Sequence, residues 1–335
     1  MTISRSLMSP QSSRNASLDA LRVVSFLGIV ALHVAGGGFT GNKPIGFVVD
    51  EMSRFAVPVF FLLSAYFWRE EDLAAPLRLT WKLARRVIPA FAVVLAVTVA
   101  LRLIEGSHLR LELSPGGVLH LVWTGGPAFH LWFLPALVLG GAIVVVLMKY
   151  LGLRWTMAIA FFLYATGTVL GAYSPTLLGL RFPFWFDRNG LFFAPVFLVG
   201  GIFLRRHRAM LENLPVTAIA LAATILAALH LAEGYFVVGR YPMGHDFSIA
   251  TLGYAFAVAI LFMRLDLRSP IWSILGQATF GAYLIHLIVL HTLATYLKLG
   301  ASSWMMIALV FTVSLGLSMA FRAGRSRLAE AVARA

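Results

Sequence analysis

The chain has 335 residues, of which 60% are hydrophobic and only 12% charged, against roughly a quarter charged in an ordinary soluble domain, and this excludes a conventional water-soluble enzyme. Zero cysteines exclude disulfides, a thiolate nucleophile and cysteine-based metal sites. The net charge of +13 raises the question of a nucleic-acid partner, which the placement of the cations answers.

In chain order, apolar runs of about 17 to 25 residues, the length that crosses some 30 Å of hydrocarbon as a helix, predict about ten spans. They fall near 18–37, 46–67, 84–103, 130–149, 154–173, 190–204, 214–231, 247–263, 271–293 and 302–321. The loops between them are too short for a separate soluble domain. The expected fold is an all-α polytopic membrane protein: a tail over 1–17, one ten-helix membrane domain over 18–322 and a second tail over 323–335. Arg5 and Arg14 ahead of an apolar run have the look of a secretory signal, but a first span of full crossing length followed by nine more predicts an uncleaved first helix. With the amino end in the cytoplasm, all but eight of the 27 Lys and Arg lie on the inner side, the exceptions being Lys43, Arg54, Arg102, Arg110, Arg181, Arg188, Arg240 and Lys298. This is the positive-inside asymmetry, and an even number of spans places both termini in the cytoplasm. Topology in a lipid bilayer thus accounts for the basic balance, and no nucleic-acid partner is expected.

The first span, SLDALRVVSFLGIVALH from Ser17 to His33, carries three costly residues. Arg22 and His33 are eleven residues apart, so they project within about 20° of each other and stand roughly 16 Å apart along the helix. Asp19 lies one turn before Arg22. A charge at mid-membrane costs about 3 kcal/mol on insertion scales, so such residues face a bundle interior or a watery cavity. Two readings stand for the Asp19–Arg22 pair, an interfacial anchor or part of a site, and two for His33, a hydrogen-bonded core histidine or a working one. Glu51 and Arg54 form a three-apart pair near the outer end of the second span. Lys82, Arg85 and Arg86 cluster at the inner mouth of the third, either as plain positive-inside anchors or as anion ligands.

Pro58, Pro135 and Pro195 interrupt spans and bend them. The loop from about 104 to 129 holds Pro115, Gly116, Gly117, Gly125, Gly126 and Pro127 and is the natural place for a lid or re-entrant segment. Eight of the nine histidines fall in outer halves of spans or outer loops, and His207 alone faces inward. Tyr283 and His286, three apart, share a helical face. His286 and His291, five apart, point about 140° from each other. No His-Glu-x-x-His zinc pattern, phosphate-binding Gly-x-x-x-x-Gly-Lys loop, Gly-x-Ser-x-Gly elbow or soluble-type His-x-x-x-x-Asp pattern occurs, and no metal is expected.

Four segments, in order, resemble the acyltransferase-3 family of integral membrane O-acyltransferases. They are LDALRVVSFLGIVALH from Leu18, RFAVPVFFLLSAYF from Arg54, FHLWFLPALV from Phe129 and FGAYLIHLIVL from Phe280. Two positions depart from the family pattern: Ala65 replaces a usual Gly, and Leu83 stands where the first Arg of an Arg-x-x-Arg motif belongs, although Arg86, Val87, Ile88 and Pro89 fit its second half. The resemblance is closest to the stand-alone polysaccharide O-acetyltransferases, with no soluble hydrolase-like domain after residue 322. It implies transfer of an acyl group, usually acetyl, from cytoplasmic acyl-CoA to a hydroxyl of a glycan or lipid-linked glycan at a bacterial inner membrane. Acetyl-CoA would be the co-substrate, and His33, with Arg22 and Asp19, would be catalytic. Lys82, Arg85 and Arg86 would hold the donor phosphates. Glu51, Arg54, His130, Trp132, Tyr283 and His286 would shape the acceptor side. The chemistry suits these residues: a histidine titrates nearest the working pH and can take the hydroxyl proton, and a thiolate of parent pKa near 8.5 leaves without a dedicated acid. The competing reading is a secondary transporter, for which broken helices and intramembrane charges are equally suited; no inverted pair of motifs relates 1–165 to 166–335.

Overall fold

The computed structural model describes residues 15–36, 43–106, 114–239, 245–296 and 303–334. The expectations for residues 1–14 and for Arg110, Arg240 and Lys298 lie outside the described residues. α1 (Ala16–Gly36) starts after Asn15, whose side-chain oxygen accepts from the amides of Ser17 and Leu18 at 3.0 and 3.2 Å, the usual N-cap satisfaction of orphan donors. Then come α2 (Lys43–Ser53), α3 (Ala56–Tyr66), α4 (Glu70–Ala74), α5 (Pro76–Ile104), α6 (Pro115–Thr124), a 3₁₀ stretch (Gly126–Trp132) and α7 (Phe133–Leu170). After them follow α8 (Ser174–Leu177), a 3₁₀ turn (Phe184–Phe186), α9 (Ala194–Arg206), α10 (Arg208–Leu211), α11 (Val216–Glu233) continued by a π turn (Gly234–Val238), α12 (Ile249–Arg264), α13 (Pro270–Tyr296) and α14 (Trp304–Arg334).

Among the described residues there is no strand. Six stretches are long and apolar enough to cross a membrane on their own: Ala16–Gly36, Pro76–Ile104, Gly126–Leu170, Val216–Val238, Pro270–Tyr296 and Trp304–Glu330. Helices close their backbone hydrogen bonds internally, as a chain in hydrocarbon requires, and the protein is an all-α polytopic membrane protein.

The remaining predicted spans take forms that apolar runs do not reveal. The second, read as continuous over 46–67, is two helices, α2 and α3, separated at Arg54 and Phe55. The sixth begins at Ala194 rather than at 190. The fourth and fifth are joined in α7, which carries φ 73° and ψ 178° at Gly152. A Cβ at Gly140 would stand 3.1 Å from the Gly190 carbonyl oxygen, and one at Gly167 would stand 2.8 Å from the Phe192 Cβ. A straight helix would hold residues 140 and 167 about 40 Å apart, so the chain folds back at Gly152 into arms 133–151 and 153–170.

Small residues set the closest helix approaches. A Cβ at Gly201 of α9 would stand 2.1 Å from the Leu62 carbonyl oxygen of α3, and one at Gly276 of α13 would stand 2.7 Å from the Asp19 Cβ of α1. Backbones meet this closely only where the side chain is absent. Around these contacts lies an aromatic core in which Phe61 meets Phe133 at 4.4 Å and Phe193 meets Phe247 at 4.7 Å between ring centroids. Trp81, Trp155 and Trp304 are exposed, whereas Trp68 is buried.

Gly201→Ala places a methyl against backbone that cannot yield cheaply and should cost about 1–3 kcal/mol, as overpacking does, read as a lower melting temperature in detergent. Gly316→Ala, in α14 with nothing within 4 Å of the added carbon, should leave the melting temperature unchanged or raise it through helix propensity. Equal melting of both variants would contradict the α3–α9 approach.

Candidate active site

At the amino-terminal end of α1 a cavity of about 770 Å³ opens between α1, α3, α5, α13 and α14. Its wall carries Arg22, Lys82, Arg86, Arg208 and Arg322, with Asp19 among them. Each cation is held individually. Arg22 is ion-paired with buried Asp19 and lies 4.9 Å over the Phe67 ring, Lys82 pairs with Asp72 at 3.1 Å, and Arg208 pairs with Glu212 at 2.6 Å. Arg86 lies 5.9 Å over the Phe280 ring, and Arg322 donates to the Gln277 carbonyl oxygen and Oε1 at 2.8 and 2.6 Å. Such a basin suits a polyanion, since guanidinium groups bind phosphates in two-pronged fashion.

Arg85 does not join it. One residue advances a helix by about 100°, which turns Arg85 away from the wall that Lys82 and Arg86 share, and it is exposed elsewhere. Arg208 and Arg322 come from sequence-distant helices, and no local spacing announces them. Their neighbours Arg205 and Arg206 do behave as surface ions, both pairing with Glu70 at 2.6 Å. Leu83, at the departure from the family motif, lines the basin beside Gly141.

At the other end of α1 a smaller cavity, about 280 Å³, is walled by His33, Pro127, Phe129, His130, Arg102 and His291 among others. The 3₁₀ stretch before α7 supplies Pro127 to His130, so the end of the loop expected to hold a lid or re-entrant segment lines a cavity. The His33 ring stands 5.1 Å from that of His286 and 5.5 Å from that of Phe129, and His286 stands 5.1 Å from His130. Three imidazoles from α1, the 3₁₀ stretch and α13 therefore converge.

Their hydrogen bonds assign tautomers to two of them. His130 Nε2 donates to the Leu284 carbonyl oxygen at 3.1 Å, and His286 Nδ1 donates to the Tyr283 carbonyl oxygen at 2.5 Å. That leaves lone pairs at His130 Nδ1 and His286 Nε2, both buried without a hydrogen-bond partner among the described residues. Tyr283 donates its hydroxyl to the His130 carbonyl oxygen, which locks these two expected acceptor-side residues together. The Tyr283 ring packs 5.6 Å from Phe133, a residue of the basic cavity. One aromatic layer thus separates the two cavities.

Glu51, Arg54 and Trp132 line neither cavity. Glu51 and Arg54 do meet, at 3.6 Å, but the closer partner of Arg54 is Asp50 at 2.5 Å, and the guanidinium also donates to the His245 carbonyl oxygen. Trp132 is buried beneath the Arg188 guanidinium, 5.4 Å from its ring, and Arg188 pairs with Asp246 at 3.3 Å.

A family model described as an acyltransferase domain, acyltransferase-3, matches residues 15–323. The chain belongs to the acyltransferase-3 family. This acyltransferase-3 chain is also 23% identical over 291 residues to a serine/alanine racemase of Enterococcus gallinarum, covering 82% of the chain and 40% of the relative. An amino-acid racemase of Enterococcus faecalis is 26% identical over 332 residues, 90% of the chain and 45% of the relative. A second amino-acid racemase of that organism is 29% identical over 202 residues, 56% of the chain and 27% of the relative. The chain spans under half the length of these curated relatives. No solved structure matches it.

In the loop before α9, burial and the neighbouring Asp246 push the Asp187 carboxyl up to about 8. Unfolded, the group titrates near 3.9, so the stability it contributes is whole below about pH 4 and is lost as pH rises through 8. The wild-type melting temperature should therefore fall between pH 5 and 8, and Asp187→Asn should flatten that fall in a detergent melt series. Parallel curves for the two proteins would contradict a protonated Asp187.

Proposed function

We propose that the chain is an O-acyltransferase of a bacterial inner membrane that moves an acyl group, acetyl by preference, from acyl-CoA to a hydroxyl of a cell-surface glycan or its lipid-linked precursor. The supporting observation is the opposition of two cavities across one aromatic layer, cations lining one and His33 the other. In this reading ten elements cross the bilayer, both termini are cytoplasmic and the basic cavity faces the cytoplasm. Donor phosphates bind Arg22, Lys82, Arg86, Arg208 and Arg322, and the acceptor hydroxyl enters beside His33. His33 takes the hydroxyl proton, the oxygen attacks the thioester carbonyl, the C–S bond breaks, and the thiolate leaves and is protonated from the imidazolium or solvent. Asp19 fixes Arg22 from inside the bundle. His130 and His286, each anchored to a backbone carbonyl, flank His33 at the edge of a largely apolar cavity.

The racemase names belong to proteins more than twice as long. The second reading is a secondary transporter of a small molecule or lipid-linked glycan, which broken helices and intramembrane charges also suit; the amino acids in the relatives' names supply the probe with which the same experiment separates it.

Membranes holding the wild-type chain should transfer labelled acetyl from acetyl-CoA into glycan. His33→Ala, at equal abundance, should lose about 10²- to 10⁴-fold, the usual contribution of a general base. Arg86→Gln and Arg322→Gln should raise KM for acetyl-CoA roughly tenfold or more, the loss of a charge-assisted contact of about 1.5–3 kcal/mol, with a smaller change in kcat. No transfer by the wild type, together with saturable uptake of labelled serine or alanine into vesicles, would replace the enzyme with the transporter. Transfer that survives in His33→Ala would reduce His33 to a structural residue.

A further inference from the structure

Away from both cavities, Glu51 of α2, His230 of α11 and His245 ahead of α12 converge from three distant parts of the chain. One ligand-capable atom from each lies within 4.8 Å of the other two. His230 Nε2 is 3.1 Å, and His245 Nε2 3.5 Å, from the same oxygen, Glu51 Oε2. These are the edges of a tetrahedron around a metal: ligands at about 2.0–2.1 Å from zinc stand roughly 3.3–3.4 Å apart. All three residues are buried, Glu51 at 1% and His230 at 0% exposure. Despite their proximity, Glu51 Oε2 and His230 Nε2 are buried without a hydrogen-bond partner among the described residues. A carboxylate and an imidazole without hydrogen bonds inside a bundle carry a desolvation cost that the Arg54 guanidinium at 3.6 Å offsets in part, and a cation between them lowers it further.

The surroundings orient these atoms. His230 Nδ1 faces the hydroxyls of Ser248 at 3.3 Å and Thr251 at 3.5 Å. Donation from Nδ1 to a hydroxyl leaves the Nε2 lone pair directed at Glu51, the arrangement that supporting hydrogen bonds impose on metal-ligating histidines. A Cβ at Gly234, the first residue of the π turn, would stand 2.8 Å from Glu51 Cδ and 2.9 Å from Oε2, so the space is kept for the carboxylate. Single π turns inside helices are rare and concentrate at functional sites. Charge points the same way. Asp50 is matched by Arg54 at 2.5 Å and Asp246 by Arg188 at 3.3 Å, while among the described residues the Lys or Arg nearest Glu51 is that same Arg54, at 3.6 Å.

We propose that Glu51, His230 and His245 bind a divalent first-row cation, Zn²⁺ by the donor set of two imidazoles and one carboxylate, with a fourth position for water. The site would join α2, α11 and the entry to α12.

The test uses tag-free, detergent-purified full chain dialysed against metal-free buffer. Elemental mass spectrometry should find about one zinc per chain in the wild type, as a preorganised three-ligand site retains metal, and background levels in His230→Gln and Glu51→Gln. Because a variant can fail to fold, the wild type is also stripped with a strong chelator and reloaded. Its melting temperature should rise with added Zn²⁺, and Co²⁺ should produce the visible absorption of a tetrahedral site. Wild type without metal and without a melting response to Zn²⁺ would overturn the proposal in favour of a protonated histidine paired with Glu51. Stoichiometric metal retained by both variants would overturn it by placing the ion elsewhere.

Discussion

A guanidinium buried inside a helical bundle must be answered from several directions at once, and Arg54 organises the half of this protein around the α2–α3 break by that requirement. It sits where α2 gives way to α3, so one of its partners, Asp50, comes from the preceding helical turn and another, the His245 carbonyl, from almost two hundred residues away. Isolated ionic groups in such surroundings are strongly disfavoured, which ties the start of α12 to the α2–α3 break. Neighbouring bonds follow the same seam: Tyr254 donates to the Met52 carbonyl at 3.0 Å and Tyr164 to that of Ser248 at 2.6 Å. Phe247, between them in sequence, then closes the aromatic core against Tyr164 and Phe193. Polar pairing and apolar packing are therefore one construction.

The basic cavity follows a different logic. Its cations come from α1, α5, α10 and α14, and repulsion among them is relieved singly, by Asp19, Asp72, Glu212 or an aromatic face, with no shared carboxylate at the centre among the described residues. Arg208 and Glu212 form an exposed pair of the kind that contributes little to stability, so an incoming anion displaces it at small cost, whereas Lys82 is an exposed ammonium reaching to the buried Asp72. Asp19 differs, because Gly276 presses it into the bundle and Arg22 is held at a fixed depth. The basin thus combines one rigid cation with several adjustable ones.

How much of this the sequence discloses depends on whether the relation is local. The helical period puts Arg22 and His33 on one face, and they do line the two cavities; Tyr283 and His286 share a face, and both reach His130. Convergence over long separations leaves no such trace. Spacing within α13 argues against a metal at His286 and His291, yet it is blind to Glu51, His230 and His245, which meet only after three segments pack. Arg208 looks like one more inward-facing anchor until the fold brings it to the basin beside Arg22. Hydropathy, likewise, averages over single residues: it passes through Arg54 without registering a break, and an apolar run cannot show that Gly152 turns the chain back on itself.

The layer between the cavities has a consequence of its own. Phe26 stacks on Phe311 and meets His286 edge-on at 6.1 Å, Phe133 backs Tyr283, and the Tyr283 hydroxyl is committed to a backbone carbonyl. A bilayer in a living cell sustains a voltage, and a pore open at both ends would discharge it. Here the imidazoles nearest the layer spend one nitrogen each on a carbonyl, and phenyl rings fill the space beside them. The described residues of this layer thus set apolar rings where a continuous aqueous path would need polar groups, which is the composition that an electrical insulator requires.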